Sequence, residues 1–376
     1  MKNVFRLASG LLLGLALLAG SAGPAAAAKR YVCPPCGAPC DTTTFSGPGI
    51  CPACGMTLVE AGSAATAPAP DRKKVAVLVF NGCEVIDFTG PYEMFGAAGC
   101  DVYTVGASKE AVTTAMGLGV LPKYSFADAP QPDVLVIPGG AVRAAVNDSA
   151  TLRYIKSVSA RTSCTMSVCN GAFILANTGL LDGLSATTTY HNIPKLADQY
   201  PKITVVRDRR YVDNGKIVTA AGLSAGIDGA LHVIAKLFGT GTAEQVALGE
   251  EVDWRPDGGF ARAALADHEI PEVELDNIGK WNMVRTEGDT GHWDIVVSGC
   301  SEIGAPELMA RIEEALGKAK WTKVASSGVD QPARSSDWRF TGSDGKPWAG
   351  KLKLESAAGS SKDITAAIEV ARADVR

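Results

Sequence analysis

Between residues 74 and 238 the chain alternates short, largely apolar runs with stretches of helical spacing. The apolar runs fall at 74–80, 101–105, 133–137 and 163–168. The helical stretches fall at 91–98, 149–160, 172–181 and 225–238. A strand that is apolar on both faces has no face to give to water. Such runs therefore specify a parallel sheet covered by helices on both sides. The fold class expected for 73–250 is α/β, a doubly wound parallel sheet. In such sheets ligands bind at the carboxyl ends of the strands. The turn Asp213-Asn214-Gly215 predicts a hairpin between 203–206 and 217–221.

The fourth apolar run delivers Cys169 to a strand-to-helix turn, in Met166-Ser167-Val168-Cys169-Asn170-Gly171-Ala172. Ser167 and Gly171, two positions to either side, leave room for the sharp reversal of a nucleophile elbow, with sulfur in place of oxygen. The following helix points its N-terminus at the sulfur, which is expected to favour the reactive thiolate. The competing reading is a buried, inert thiol, common for cysteine. Cys164 lies five residues earlier on the same strand and faces the opposite way. Cys83 and Cys100 sit near the ends of other elements, where a redox role stays open.

Residues 1–28 read as a secretory signal peptide, with basic Lys2 and Arg6, an apolar stretch at 11–18 and small residues at 25–28. The expectation is a periplasmic or secreted protein without a membrane anchor, since no later stretch approaches the ~18 apolar residues of a span. The formal net charge is −4, and loss of Lys2 and Arg6 makes it more acidic. The candidate partner is a small-molecule substrate; that balance argues against nucleic acid and anionic membranes as partners. A cysteine-rich segment follows at 29–60, then an Ala/Pro-rich linker at 61–72. The pairs Cys33/Cys36 and Cys51/Cys54 form two C-x-x-C knuckles fourteen residues apart, and Cys40 is a fifth thiol. This spacing is close to a four-cysteine zinc ribbon, so these five are the candidate metal ligands and zinc the default ion. Disulfides remain the alternative in an oxidising compartment, although five cysteines leave one unpaired. The stretch Gly-Ile-Cys-Pro-Ala-Cys-Gly-Met-Thr-Leu-Val resembles the small heavy-metal-binding modules that precede exported metal-handling proteins.

Five further stretches occur in order along the chain: Val-Phe-Asn-Gly-Cys-Glu-Val-Ile-Asp87-Phe-Thr-Gly-Pro-Tyr-Glu, Val-Ile-Pro-Gly-Gly, Ser-Val-Cys169-Asn-Gly-Ala-Phe-Ile-Leu-Ala, Gly-Leu-Leu-Asp-Gly and Gly-Leu-Ser-Ala-Gly-Ile-Asp-Gly-Ala-Leu-His. Through them residues 74–250 resemble the DJ-1/PfpI superfamily, and within it isonitrile hydratases and the amidotransferase-like half of certain AraC-type regulators. The resemblance implies a flavodoxin-like fold, a cysteine nucleophile that needs no cofactor, and a homodimer. A regulator reading conflicts with the leader and with the lack of an evident helix-turn-helix pattern.

The resemblance also places an acidic partner for the sulfur at Asp87. A carboxylate beside a thiol can share its proton and hand it to substrate. Gly90-Pro91 follows closely, so a helix-capping role for Asp87 competes. The amides of Gly140 and Asn170 are the expected oxyanion donors. Asn170 stands where hydratase relatives carry Thr. His191 lies in the region where many relatives have a His near the cysteine, although theirs often falls two residues earlier, at the position of Thr189. Asp228 is a lesser site candidate in the first turn of a helix, and His232 is expected in the core. Together these readings describe an exported hydratase- or hydrolase-type cysteine enzyme. Two alternatives stay open: a redox sensor whose thiol is oxidised to sulfinate, and a metal-responsive protein with a vestigial pocket.

All six Trp lie from Trp254 onward. This shift predicts a separate α+β accessory domain over 275–376, with strands at 292–298, 321–326, 338–340 and 351–354. Helices are predicted at 305–319 and 364–373.

Overall fold

The computed structural model describes residues 29–33, 39–61, 72–256, 258, 260–328 and 333–373. The leader, Cys36 and most of the linker lie outside the described residues. The chain divides into two units, Met1–Asp71 and Arg72–Arg376. In the first, three two-residue strands (Tyr31–Val32, Thr44–Phe45 and Val59–Glu60) form an antiparallel sheet with Tyr31–Val32 in the centre. Its buried core is Cys33, Cys40, Cys51 and Leu58.

In the second unit, strands β1 (Lys74–Leu78), β2 (Asp101–Gly106), β3 (Tyr124–Ser125), β4 (Val134–Ile137), β5 (Cys164–Val168), β6 (Tyr211–Asp213) and β7 (Ile217–Ala220) form one sheet in the order β6-β7-β5-β4-β1-β2-β3. All pairs are parallel except β6 with β7. The apolar runs explain this: every residue of β4, β5 and β7 is buried. Helices α1 (Val85–Ala97), α2 (Ser149–Ser159), α3 (Gly171–Asn177), α4 (Ser224–Phe238) and α5 (Thr240–Gly249) accompany the sheet. One core holds Val75, Val77, Met166 and Val168, and a second holds Ala76, Leu78, Leu135 and Ile137. Alternate residues of one strand thus feed opposite layers, as a doubly wound flavodoxin-like fold requires. The chain runs outward from β1 to β3, then returns to the other side of β1 at β4. That reversal puts the switch point between β1 and β4, where such folds open a crevice.

Three sequence expectations change here. The α1 helix starts at Val85, capped by the Glu84 side chain, so Pro91 lies inside it rather than at its start. The hairpin partner of β7 is β6, while Thr204–Val205 pairs in parallel with Ser185–Ala186. Residues 364–373 are not a helix. They lie in β13 (Asp363–Arg372) of a six-stranded sheet with β8 (Gly279–Gly288), β9 (His292–Ser301), β10 (Thr322–Ser327), β11 (Ala333–Thr341) and β12 (Pro347–Ser356), in the order β8-β9-β13-β12-β11-β10. Ile364, Ala366 and Val370 of β13 are buried, a period-two face that suits a central strand better than a helix. The α6 helix (Ala305–Lys318) supplies Leu308, Ile312 and Leu316 to the core under this sheet, together with Trp293, Trp321, Trp338 and Trp348. Among the described residues no helix is long and apolar enough to cross a membrane.

Candidate active site

Cys169 leaves β5 with φ +57°, the left-handed region that costs a non-glycine residue about 1–2 kcal/mol. The surroundings hold it there. Its N–H donates to the Ala220 carbonyl at 3.0 Å, and its own carbonyl accepts from the Thr188 hydroxyl at 2.9 Å. Gly171 must lack a side chain, because a Cβ there would lie 2.3 Å from the Ile137 carbonyl oxygen. The elbow read from the sequence is therefore present, with the sulfur almost fully buried.

Asp87 points from the first turn of α1 into the same crevice and is completely buried. Its Oδ2 accepts from the Gly139 N–H at 3.1 Å and its Oδ1 from the Leu223 N–H at 2.9 Å. The Cys169 thiol lies beside it and interacts with it as well. Burial outweighs these donors and raises the carboxyl from 3.8 to about 6. Burial, then the negative charge of Asp87, pushes the Cys169 thiol up to about 12, against the pull of the Asn170 N–H and the Thr189 hydroxyl. The sequence expectation of a thiolate is thus corrected. The helix N-terminus does aim at the sulfur, but burial and the adjacent carboxylate prevail, and the pair rests as thiol and carboxylate near neutral pH.

The raised carboxyl has a consequence for stability. Between about pH 4 and pH 6 the folded protein holds a proton that the unfolded chain has already released, so stability falls as pH rises through that window. At about 1.4 kcal/mol per unit, the cost to the folded state at neutral pH is about 3 kcal/mol. Denaturant midpoints from pH 4.5 to 7 are expected to flatten in Asp87→Asn; an unchanged slope would remove Asp87 as its source.

Gly140 is corrected as an oxyanion donor. Its N–H donates to the Asn170 Oδ1 at 2.7 Å, and the Asn170 Nδ2 donates back to the Gly140 carbonyl at 2.8 Å. This reciprocal clamp ties the loop after β4 to the elbow and leaves the Asn170 side chain unfree for substrate. The Asn170 main-chain N–H does face the sulfur. His191 is corrected too. The short 3-10 turn Tyr190–Asn192 turns it outward, so it is exposed and rests against the Tyr190 ring. Thr189 meets the sulfur instead. Asp228 is engaged by Arg210, whose Nε donates to it at 2.7 Å. His232 is only half-buried and pairs with Asp213 at 2.8 Å rather than sitting in apolar core. Cys83, Cys100 and Cys164 are buried free thiols.

The sequence places Gly139 at a strand end without giving it a role, and it gives none to Gly222 or Leu223. A Cβ on Gly139 would sit 2.2 Å from the Asn170 Oδ1, 2.7 Å from the Cys169 Cβ and 2.8 Å from the Asp87 Oδ2. Gly139→Ala is therefore expected to lower stability by about 2 kcal/mol, since overpacking costs typically 1–3, and to abolish turnover. Melting and turnover both at wild-type values would show the three groups to be less tightly packed. Pro-Gly-Gly after a strand was the available signal for Gly139. Nothing local marks Leu223, whose φ of +51° turns its N–H onto Asp87.

In the N-terminal unit the sulfurs of Cys33, Cys40, Cys51 and Cys54 all lie within 4.8 Å of one another. Tetrahedral zinc with sulfur at about 2.3 Å separates its ligands by ~3.8 Å, so this donor set fits such an ion. Cys40 joins the three knuckle cysteines that are described; Cys36 lies outside the described residues. The Met56 N–H, then the Cys33 thiol, draws the Cys54 thiol down to about 7, which favours the form that binds metal.

The comparisons with known proteins divide the chain along the same lines. Residues 30–61 match the heavy metal binding domain family, and residues 73–236 match the DJ-1/PfpI family. An isonitrile hydratase from Pseudomonas putida is 37% identical over 180 residues, which are 46% of this chain and 76% of that protein. The HTH-type transcriptional regulator CdhR of Pseudomonas aeruginosa is 26% identical over 176 residues, 45% of this chain and 52% of the regulator. Among solved structures, a ThiJ/PfpI family protein from Pseudomonas syringae is 33% identical, covering 53% of this chain and 82% of its own, with a TM-score of 0.47. With its Cys169 elbow and Asp87 partner at the switch point of a doubly wound sheet, and that extent of identity to the hydratase, the chain belongs to the DJ-1/PfpI family.

Proposed function

We propose that the protein is an exported hydratase that converts small isonitriles to N-substituted formamides. The observation that carries this reading is the buried pair of Cys169 and Asp87, with its thiol beside a carboxyl raised to about 6. A base poised near the working pH suits proton transfer in both directions. In the first step the Cys169 sulfur bonds to the isonitrile carbon while Asp87 takes the thiol proton and passes it to the same carbon. The product is a thioimidate, R–N=CH–S–Cys169. Water then adds across the carbon–nitrogen bond, its oxygen to carbon and one proton to nitrogen. The carbon–sulfur bond breaks, the carbonyl of R–NH–CHO forms, and the hydroxyl proton returns through Asp87 to the sulfur. The Asn170 N–H and the Thr189 hydroxyl, both directed at the sulfur, stabilise the charge it gains on leaving.

A protonated, buried thiol is a poor oxidation sensor, because sensing draws on exposed thiolate. Export rests on the leader-like residues 1–28. For the cysteine module we propose zinc, on the all-sulfur donor set. The activity is tested by incubating the purified protein with a small isonitrile and measuring the N-formamide by mass. Formation that depends on enzyme concentration is expected; its absence across a panel of alkyl and aryl isonitriles would refute the hydratase.

A further inference from the structure

We propose that this site selects small electrophiles that carry a carboxylate, recognised by Arg207 and Arg209. The proposal rests on the nucleophile described above and adds a substrate class to it. A cavity of about 250 Å³ lies against the elbow and includes Thr189, Gly222 and Leu223 in its wall. These residues are shared with the reacting pair. Thr189 meets the sulfur, and the Leu223 N–H donates to Asp87 at 2.9 Å. Gly222 carries no side chain, and a Cβ there would lie 3.1 Å from the Cys169 Sγ. The bare glycine is therefore all that stands between this wall and the sulfur, and any side chain there would press on it.

Four arginines line the cavity, and they fall into two kinds. Arg210 is neutralised by Asp228 and also donates to the Phe260 carbonyl at 2.7 Å. Arg262 is paired with Asp267 at 2.7 Å and lies over the Tyr190 ring at 4.1 Å. Both are structural: they hold the 260–263 segment in place as the far wall. Arg207 and Arg209 are different. Among the described residues Arg207 makes one hydrogen bond, to the Ser343 hydroxyl at 3.2 Å, and no ion pair. Arg209 is exposed, with no hydrogen bond or ion pair among the described residues. Asp208 between them is exposed, and Glu269 nearby is already taken by His268 and by Ser343. Two guanidiniums without an ion pair among the described residues thus line a concave, mainly apolar space. Such a space concentrates anions, and a guanidinium fork matches a carboxylate. The volume equals on the order of eight waters at about 30 Å³ each, which suits a compact apolar body with one charged end.

Selection is read most directly with two alkylating agents that differ by the carboxylate. Iodoacetate and iodoacetamide are each reacted with Cys169 in the full-length protein, and the ratio of their rates is compared with that of free cysteine. The ratio is expected to favour iodoacetate about tenfold over free cysteine, to fall back in Arg207→Gln/Arg209→Gln, and to be partly kept in Arg209→Lys. Arg209 is exposed, so Arg209→Gln alone provides a variant whose folding is not at risk; about a threefold loss is expected. A ratio equal to that of free cysteine, or one unchanged in the double variant, would overturn the proposal. An isonitrile bearing a carboxylate, assayed beside its neutral amide, reports on the hydratase separately. If neither isonitrile turns over while the alkylation ratio behaves as expected, the hydratase falls and the anion selectivity stands.

Discussion

Cys169→Ala is expected to reduce formamide production by ~10⁴ or more, with little change in melting temperature. Loss of the nucleophile in enzymes with covalent intermediates costs as much as ~10⁶ in kcat. The alanine keeps the left-handed backbone at φ +57°, so its strain is unchanged. Cys169→Gly is the matched control. It should be equally inactive and more stable than the alanine variant by about 1 kcal/mol, because glycine adopts this conformation freely. Asp87→Asn is expected to lower turnover by ~10²–10⁴, the range of general acid–base contributions. It should also abolish the limb of the pH–rate profile near 6, where Asp87 titrates. In the opposite direction, Asp87→Asn should speed alkylation of Cys169 by iodoacetamide at neutral pH. The neighbouring negative charge is one of the two main causes of the raised thiol, and removing it makes thiolate easier to form. Slower alkylation together with lower turnover would instead assign Asp87 the task of activating the sulfur in the resting enzyme.

Removing metal from the cysteine module is expected to unfold residues 29–61 and to leave residues 72–373 folded. The two segments belong to separate units. Among its described residues the first has three two-residue strands and a core of three cysteines and one leucine. Below about 40 residues a chain seldom buries enough apolar surface to fold without metal or disulfides. Structural zinc, the ion proposed for this module, supplies about 10–16 kcal/mol in comparable small modules, more than this core can replace. The measurement is elemental analysis followed by limited proteolysis and intact mass, with and without chelator. One equivalent of metal per chain, and chelator-dependent cleavage confined to 29–61, are expected. Cys51→Ser should reproduce the effect without chelator. Absence of metal, with a module that loosens only on reduction, would establish disulfides instead.

The elbow was legible in the sequence because its causes are local. A buried apolar strand, small residues at 167 and 171 and a helical segment after them prescribe the turn wherever the rest of the chain goes. Asp87 was legible only through resemblance, since it lies 82 positions before the cysteine in the chain. The error at residues 364–373 has a local cause of its own. Ala366, Ala367 and Ala371 favour helix by intrinsic propensity, and pairing with β9 and β12 on both sides overrides it.

The sequence by itself determined the parallel sheet, the strand that carries Cys169, the sharp turn at its end, and a thiol-rich module followed by a linker. Each follows from periodicity or spacing within a few neighbouring residues. The tertiary structure alone decided the protonation state of the pair, because burial and the field of a distant carboxylate are properties of the packed crevice. It also decided that Gly140 is spent on Asn170, that Thr189 rather than His191 meets the sulfur, and that Leu223 supplies a donor. These outcomes depend on which loops converge beyond the strand ends, and convergence is set by packing across the whole sheet.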